Sequence, residues 1–172
     1  MTEHDKSWYV IYTKSRQEKI VEKWLNEKGI ECYLPVQKKL RQWKDRRKWV
    51  ETPLINSYVF VRIANDKEYM TVLNTEGVVT FITFEGKAAK VPDRQIEAIK
   101  LLLANEADLE VTSQSFEEGD EVEVKAGPLK GLQGSLINVK SKRKVKVRID
   151  HIGQSILVDI DMKYLQKKNR RL

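Results

Sequence analysis

Trp8-Tyr-Val-Ile-Tyr-Thr13, followed by Ser15-Arg-Gln-Glu18 and then by apolar Ile20, Val21, Trp24 and Leu25 ahead of Gly29, decides the fold class of the first half of this chain. The first six residues are aromatic or β-branched and contain no breaker, which predicts a strand. The Ser15 to Glu18 spacing is that of a capping box, in which the Ser hydroxyl accepts from the N3 amide and the Glu reaches back. The apolar residues that follow recur at helical spacing, and Gly29 suits a left-handed stop. Working outward, Cys32-Tyr-Leu-Pro35 leads into a basic stretch, and Tyr58-Val-Phe-Val-Arg-Ile63 predicts a strand apolar enough to be buried on both faces. A helix is expected from Asn65 or Asp66 with Tyr69, Met70, Val72 and Leu73, then a strand over Val78–Phe84. A third helix is expected to be capped by Asp93, with Ile96, Ile99 and Leu103 on one face. The order β-α-β-β-α-β-α predicts an α/β sandwich with a mostly antiparallel sheet, within an α+β chain.

Charge divides the chain. Residues 1–104 are moderately basic, residues 105–124 hold eight acidic side chains and no basic one, and residues 125–172 hold 13 basic against three acidic. The stretch 105–115 has little periodicity and is expected to be a flexible acidic linker, since it buries too little apolar surface to offset its ordering entropy; an ordinary long surface loop is the alternative. Beyond it the helical period disappears. Glu121–Lys125, Lys144–Ile149 and Ser155–Ile160 alternate, with turn signals at Gly127-Pro128, Gly131, Gly134, Lys140-Ser-Lys142 and His151-Ile-Gly153. Short strands at this spacing predict a small β-barrel over 116–168, followed by a basic tail over 169–172.

Composition excludes several classes. The formal charge is +7 and 41% of the 172 residues are apolar, too many for a disordered chain of this charge. No apolar run approaches the roughly 20 residues of a membrane span, and Met1-Thr-Glu-His-Asp-Lys6 does not read as a secretory signal. Cys32 is the only cysteine, so no intramolecular disulfide forms, and with His4 and His151 as the only histidines a Cys/His zinc site lacks ligands. A soluble, cytoplasmic protein without metal or cofactor is expected. Gly127-Pro-Leu-Lys-Gly-Leu-Gln-Gly134 superficially resembles a phosphate loop, but no Gly-Lys-Ser/Thr ends it and no helix follows, which favours a turn and bulge. Ser15 has no His partner, and neither histidine is a persuasive general base. The chain is expected not to be an enzyme.

The informative stretch is Lys38-Lys-Leu-Arg-Gln-Trp-Lys-Asp-Arg-Arg-Lys-Trp-Val50, with seven basic residues and two Trp in 13 positions. Clustered cations attract phosphates by counterion release, and Trp and Arg planes stack on unpaired bases. Arg41, Trp43, Lys44, Arg46 and Arg47 are therefore nucleic-acid candidates. A solvated hairpin whose Trp residues pack on the sheet is the competing reading.

Several fragments together resemble one family. Trp8-Tyr-Val-Ile-Tyr-Thr-Lys14 with its helix, Pro53-Leu-Ile-Asn-Ser-Tyr-Val-Phe-Val-Arg62, Glu76-Gly-Val78 and Val91-Pro-Asp93 resemble the N-terminal domain of NusG-type transcription factors, and Phe116–Gly134 resembles the KOW motif that follows it there. The resemblance spans almost the whole chain in the right order. It implies an N-terminal domain over 1–104 and a KOW-containing, SH3-like barrel over 116–168. Thr13-Lys-Ser-Arg-Gln-Glu18 without a Gly-containing turn, Gly29–Pro35 and Gln42–Trp49 look like the specialised RfaH-like and UpxY-like antiterminators, which act on particular long operons, commonly for surface polysaccharides. The general elongation factor and a free-standing RNA-binding KOW protein are the alternatives.

The resemblance implies a role for particular residues. Tyr58 and Phe60, two apart on a strand and so on one face, match an exposed apolar patch that binds the clamp helices of RNA polymerase. Phe81 matches a third patch position, Ile99 borders it, and Thr71 fits a contact to the opposite side of the polymerase cleft. Such binding would restrain clamp opening and suppress pausing and termination. Lys14, Arg16, Gln17 and Thr75 match the surface that meets the non-template DNA strand. On the barrel, the resemblance implies that Gly127, Pro128, Gly131 and Gly134 form the KOW turn, that Leu129 stands where an aromatic is frequent after Gly-Pro, and that Ile149 lies on a strand used for contacts to the ribosomal protein NusE or the termination factor Rho. The implied state is a monomer whose barrel is constitutive rather than stored as a helical hairpin.

Overall fold

The structure is a computed structural model and describes residues 6–105, 107, 109–114, 119–149 and 152–168. His4, Phe116, His151 and the basic tail 169–172 lie outside the described residues. The chain divides into two compact units, 1–93 and 94–172.

In the first unit β1 (Ser7–Thr13) leads to α1 (Glu18–Glu27), then β2 (Glu31–Tyr33), β3 (Val36–Trp43), β4 (Arg46–Pro53), β5 (Tyr58–Ile63), α2 (Asp66–Leu73), β6 (Val78–Phe81), β7 (Thr83–Phe84), β8 (Lys87–Ala88) and β9 (Lys90–Val91). The main sheet runs β2-β5-β1-β6, with β9 also pairing β1, and every pairing is antiparallel. The basic stretch forms its own two-stranded sheet, β3 with β4. Alternation along the central strands fixes two faces. Ile11, Val59, Val61 and Phe81 share a core with Val21 and Leu25 of α1 and Val72 of α2. Val10 and Phe60 point to the opposite face, where they are also buried.

Local detail departs from the sequence reading at two places. The capping box at Ser15 does not form: α1 is capped by Gln17 without a side-chain bond, and Glu18 is buried and accepts from the Ser57 amide at 2.8 Å. A tertiary partner has outcompeted the local one, because the Ser57 N–H is buried and must be paired. The expected strand over 78–84 is split into β6 and β7 around Ile82, whose amide donates to Val10 O and whose carbonyl accepts from the Ala89 amide. By contrast α2 starts as read, with Asn65 Oδ1 accepting from the Glu68 amide.

The second unit opens within α3 (Asp93–Ala104) and continues through β10 (Leu109–Thr112), β11 (Glu121–Val124), β12 (Gln133–Val139), β13 (Lys142–Ile149), β14 (Gln154–Val158), a 3-10 turn over Met162–Tyr164 and β15 (Leu165–Lys167). Six antiparallel strands lie in the order β10-β14-β13-β12-β11-β15. Val122 and Val124, Val145, Val147 and Ile149, and Ile156 and Val158 are buried at alternating positions, and Leu132, Ile137, Ile152 and Leu157 are buried with them. This strand-rich unit is the SH3-like element expected, so the α+β class holds for the chain.

The segment 105–115, expected as a flexible linker, is different in part. Leu109–Thr112 is strand β10, paired along β14, and the Ala107 amide donates to Leu102 O at the end of α3. Alternate Leu109 and Val111 give this short run a half-buried apolar face, and β14 offers an edge whose amides and carbonyls need partners. Helix α3 from Arg94 onward falls within the second compact unit.

Candidate functional site

The aromatic residues matched to one patch do not share one surface. Phe60 stands opposite Val10 and Phe81 stands opposite Ile11, and neighbouring β1 residues point to opposite faces, so Phe60 and Phe81 are on opposite sides of the sheet. Both are sealed, Phe60 at 0% and Phe81 at 2% exposure, and Ile99 is at 0%. Phe81 stacks on Tyr69 with centroids 4.2 Å apart and meets the edge of Tyr9 at 6.3 Å. Phe60 stacks on Tyr33 at 6.3 Å. These are core positions in this structure, which corrects the expectation of an uncovered Phe60, Phe81 and Ile99. Burial of such rings is what apolar area favours whenever a neighbour can cover it.

The aromatic rings of that sheet that are not sealed are those of Tyr9, Tyr12, Tyr33 and Tyr58. Tyr58 is half-buried and Tyr12 is exposed; they are opposite each other across β1 and β5, with ring centroids 5.6 Å apart in an edge arrangement. The aromatic and β-branched run Trp8–Thr13 does not by itself show which of its residues face outward. The register with Tyr58 is the signal that finds Tyr12. Thr71 is half-buried, and its hydroxyl donates to Lys67 O.

The turn between β1 and α1 presents Lys14 and Arg16 to solvent with Gln17 half-buried beside them. Arg16 adopts φ 64°, a left-handed backbone in a residue with a Cβ. Lys14 donates its amide to Gly77 O, which ties the turn to the start of β6. Thr75, grouped with this surface by sequence, is buried: its hydroxyl donates to Thr71 O, and Lys28 Nζ donates to its oxygen at 2.9 Å. Direct contact by Thr75 is therefore corrected to a structural role. Gly77 has φ 87°, and a Cβ there would meet Gln17 Oε1 and Val21 Cγ2 at 2.7 Å, so only glycine lets the turn approach α1.

The β3–β4 hairpin is exposed along almost its whole length, and its register sorts the basic stretch into two unlike faces. One face carries Lys39, Arg41, Trp43, Arg46 and Lys48 with no acid among them, because Lys39 is opposite Val50, Arg41 opposite Lys48 and Trp43 opposite Arg46. The other carries the Leu40–Trp49 cross-strand pair, with Lys38 opposite Glu51 and Gln42 opposite Arg47. Trp43 is 47% and Trp49 65% exposed, so neither Trp packs on the sheet as the competing reading required. Lys44 and Asp45 form the tip between the strands.

On the barrel, Gly127 and Gly131 take φ 82° and 93°, and Gly131 donates its amide to Val124 O. A Cβ on Gly134 would run into the Lys146 carbonyl and Val145, so that glycine permits the close β12–β13 approach. Gly127, Pro128 and Gly131 lie between β11 and β12, and the segment leads into strand β12, which holds Gly134, rather than into a helix. Leu129 is half-buried, whereas Ile149 is buried at the core face and is corrected from contact residue to core residue.

Titratable chemistry is sparse. Burial, and after it the carboxylates of Glu22 and Glu31, pushes the Cys32 thiol up to about 12, where it donates to Glu22 O and Asn26 Oδ1. Burial likewise raises Glu22, against the Leu34 amide that it accepts from. Among the described residues no group of His, Cys, Asp or Glu side chains is arranged to hold a metal ion, and no helix is long and apolar enough to cross a membrane.

The transcription termination/antitermination protein NusG of Bacillus subtilis is 28% identical, the match covering 95% of this chain and 99% of that one. The same protein of Halalkalibacterium halodurans is 26% identical, over 95% and 99%. A solved structure described as domain interaction in Thermotoga maritima NusG is 24% identical with a TM-score of 0.54, covering 96% of this chain and 99% of that chain, a likeness of fold. The family model described as transcription termination factor nusG matches residues 6–100, more than half the chain, and this chain belongs to the NusG family.

Proposed function

We propose that this NusG-type transcription factor binds the clamp helices of RNA polymerase through the Tyr12–Tyr58 surface of its N-terminal sheet, contacts the exposed non-template strand nearby, and suppresses pausing and termination. The observation that carries the reading is the accessible tyrosine pair, an aromatic surface of the kind partner helices use as a hot spot. Phe60 and Phe81 hold the sheet beneath rather than touching the partner. Lys14 and Arg16, exposed at the end of β1, supply cations for the DNA backbone beside that surface, and the Trp43 face of the hairpin supplies more, together with a ring for an unpaired base. The work is that of a non-covalent brace, with no bond made or broken by the protein.

A specialised antiterminator acting on particular long operons, such as surface polysaccharide loci, is favoured over the general elongation factor by the exposed Gln42–Trp49 hairpin and the glycine-free turn at Lys14–Gln17. The barrel, with Leu129 at its KOW turn, is the arm that reaches a further factor of the NusE or Rho kind. The deciding experiment is capture of core RNA polymerase by the full chain. The Tyr12→Ala, Tyr58→Ala double variant is expected to lose at least tenfold in affinity with its fold intact. Normal capture by that variant overturns the assignment. Transcript profiling with and without the protein separates extended read-through of one long operon from a general effect.

A further inference from the structure

We infer that the turn joining β12 to β13 is a second nucleic-acid contact, built on the barrel itself, which holds the phosphodiester backbone of a single strand through Lys140, Lys142 and Arg143. It goes beyond the contacts assigned to the N-terminal unit and rests on residues of the other unit alone.

Val139 is opposite Lys142, so only Lys140 and Ser141 lie between the strands, and both take a left-handed backbone, φ 47° and 66°. This is the mirror-image two-residue turn whose twist suits a hairpin, and Asn-Gly is the pair that forms it with least strain. Here a lysine and a serine, each with a Cβ, occupy it instead. Backbone strain of this kind is a pointer to function at the residues that bear it. The turn sets Lys140 at the apex. Alternation then sends Lys142 to one face of the hairpin and Arg143 to the other, where Arg143 is opposite Asn138. All four side chains are exposed.

What distinguishes the turn is charge left uncompensated. Elsewhere on the barrel cations are held by carboxylates: Lys125 is 2.9 Å from Glu123, Lys163 is 3.0 Å from Asp161, Lys167 is 2.6 Å from Asp120, and Lys144 is 3.2 Å from Glu110. Neither β12 nor β13 contains an acidic residue, and Lys140, Lys142 and Arg143 form no ion pair or hydrogen bond among the described residues. Unpaired cations clustered in this way attract a polyanion by releasing its counterions. No aromatic residue occurs in β12, β13 or the turn between them, so the contact is to phosphates and is blind to base identity. The cations splay around a narrow tip rather than lining a flat row, which suits a flexible single strand better than a stiff duplex.

The test measures binding of the full chain to RNA and DNA oligonucleotides of one sequence, about 20 nucleotides long, across a range of salt. The variant Lys140→Asn, Ser141→Gly, Lys142→Gln, Arg143→Gln removes the three charges and installs the less strained turn. Its thermal midpoint is therefore expected to stay level or rise. Its log–log salt slope should fall by about 2, at about 0.7 per lost phosphate contact, and its affinity at low salt by about tenfold. The control Lys125→Gln, Lys163→Gln, Lys167→Gln changes the net charge equally and should leave the slope within about 0.5 of the unaltered chain. An unchanged slope in the turn variant, or an equal fall in the control, overturns the proposal. The arm in which the turn variant loses more affinity identifies the strand as RNA or DNA, and equal loss in both supports recognition of the backbone alone. Polymerase capture through the Tyr12–Tyr58 surface is a separate measurement, so failure here leaves the proposed function standing.

Discussion

Cys32 shows how a single side chain is set by its neighbours. Its sequence context suggests nothing beyond a lone thiol, yet burial and two carboxylates lift it from an ordinary 9.0 to about 12. A raised value means the folded state holds the proton more tightly. The stabilisation is complete below the ordinary thiol range and is lost as pH rises through about 12. The thiol should consequently alkylate about a thousandfold more slowly than a free cysteine at pH 8, since only the thiolate reacts. Rates with iodoacetamide, native against denatured, check this. A native rate near that of the denatured chain would contradict the burial assigned to Cys32. Glu18 gives the same lesson without titration: a residue read as half of a capping box is spent on a buried amide 39 positions away.

At the scale of the element, the hairpin β3–β4 is where register adds meaning to composition. The stretch 38–50 is basic and Trp-rich to any reader, but only pairing separates Trp43, which shares its face with four cations, from Trp49, which is paired with Leu40. A stacking Trp contributes about 1–3 kcal/mol per base. Trp43→Ala should therefore weaken binding of a single-stranded oligonucleotide about tenfold or more, while Trp49→Ala changes it less than twofold. Equal effects at the two positions would show that the faces are not functionally distinct. Strand β10 is the complementary case, an acidic and weakly patterned run that becomes ordered because an open edge lies beside it.

For the whole molecule the net charge of +7 is the property that acts at a distance. Binding to single-stranded nucleic acid should fall with salt, each neutralised phosphate contributing about −0.7 to the log–log slope. Replacing Lys39, Arg41, Arg46 and Lys48 together by Ala should reduce that slope by about 3. An unchanged slope would move the contact away from the hairpin. Much of the architecture was legible beforehand: β1 then α1, the capped α2, the strand at 58–63, the change from helical to alternating pattern beyond residue 115, and the glycine turn of the barrel. Those features are local, written in periodicity, propensity and turn chemistry within a few residues of one another. The sequence by itself thus determined the α+β class, the family and the basic, Trp-bearing stretch. Only the tertiary structure decided which aromatic rings are covered, that Phe60 and Phe81 lie on opposite faces, that Thr75 and Ile149 are interior, and that residues 109–112 form a strand. A two-residue spacing says that side chains share a face, but which face is buried depends on partners distant along the chain, and no local pattern encodes them.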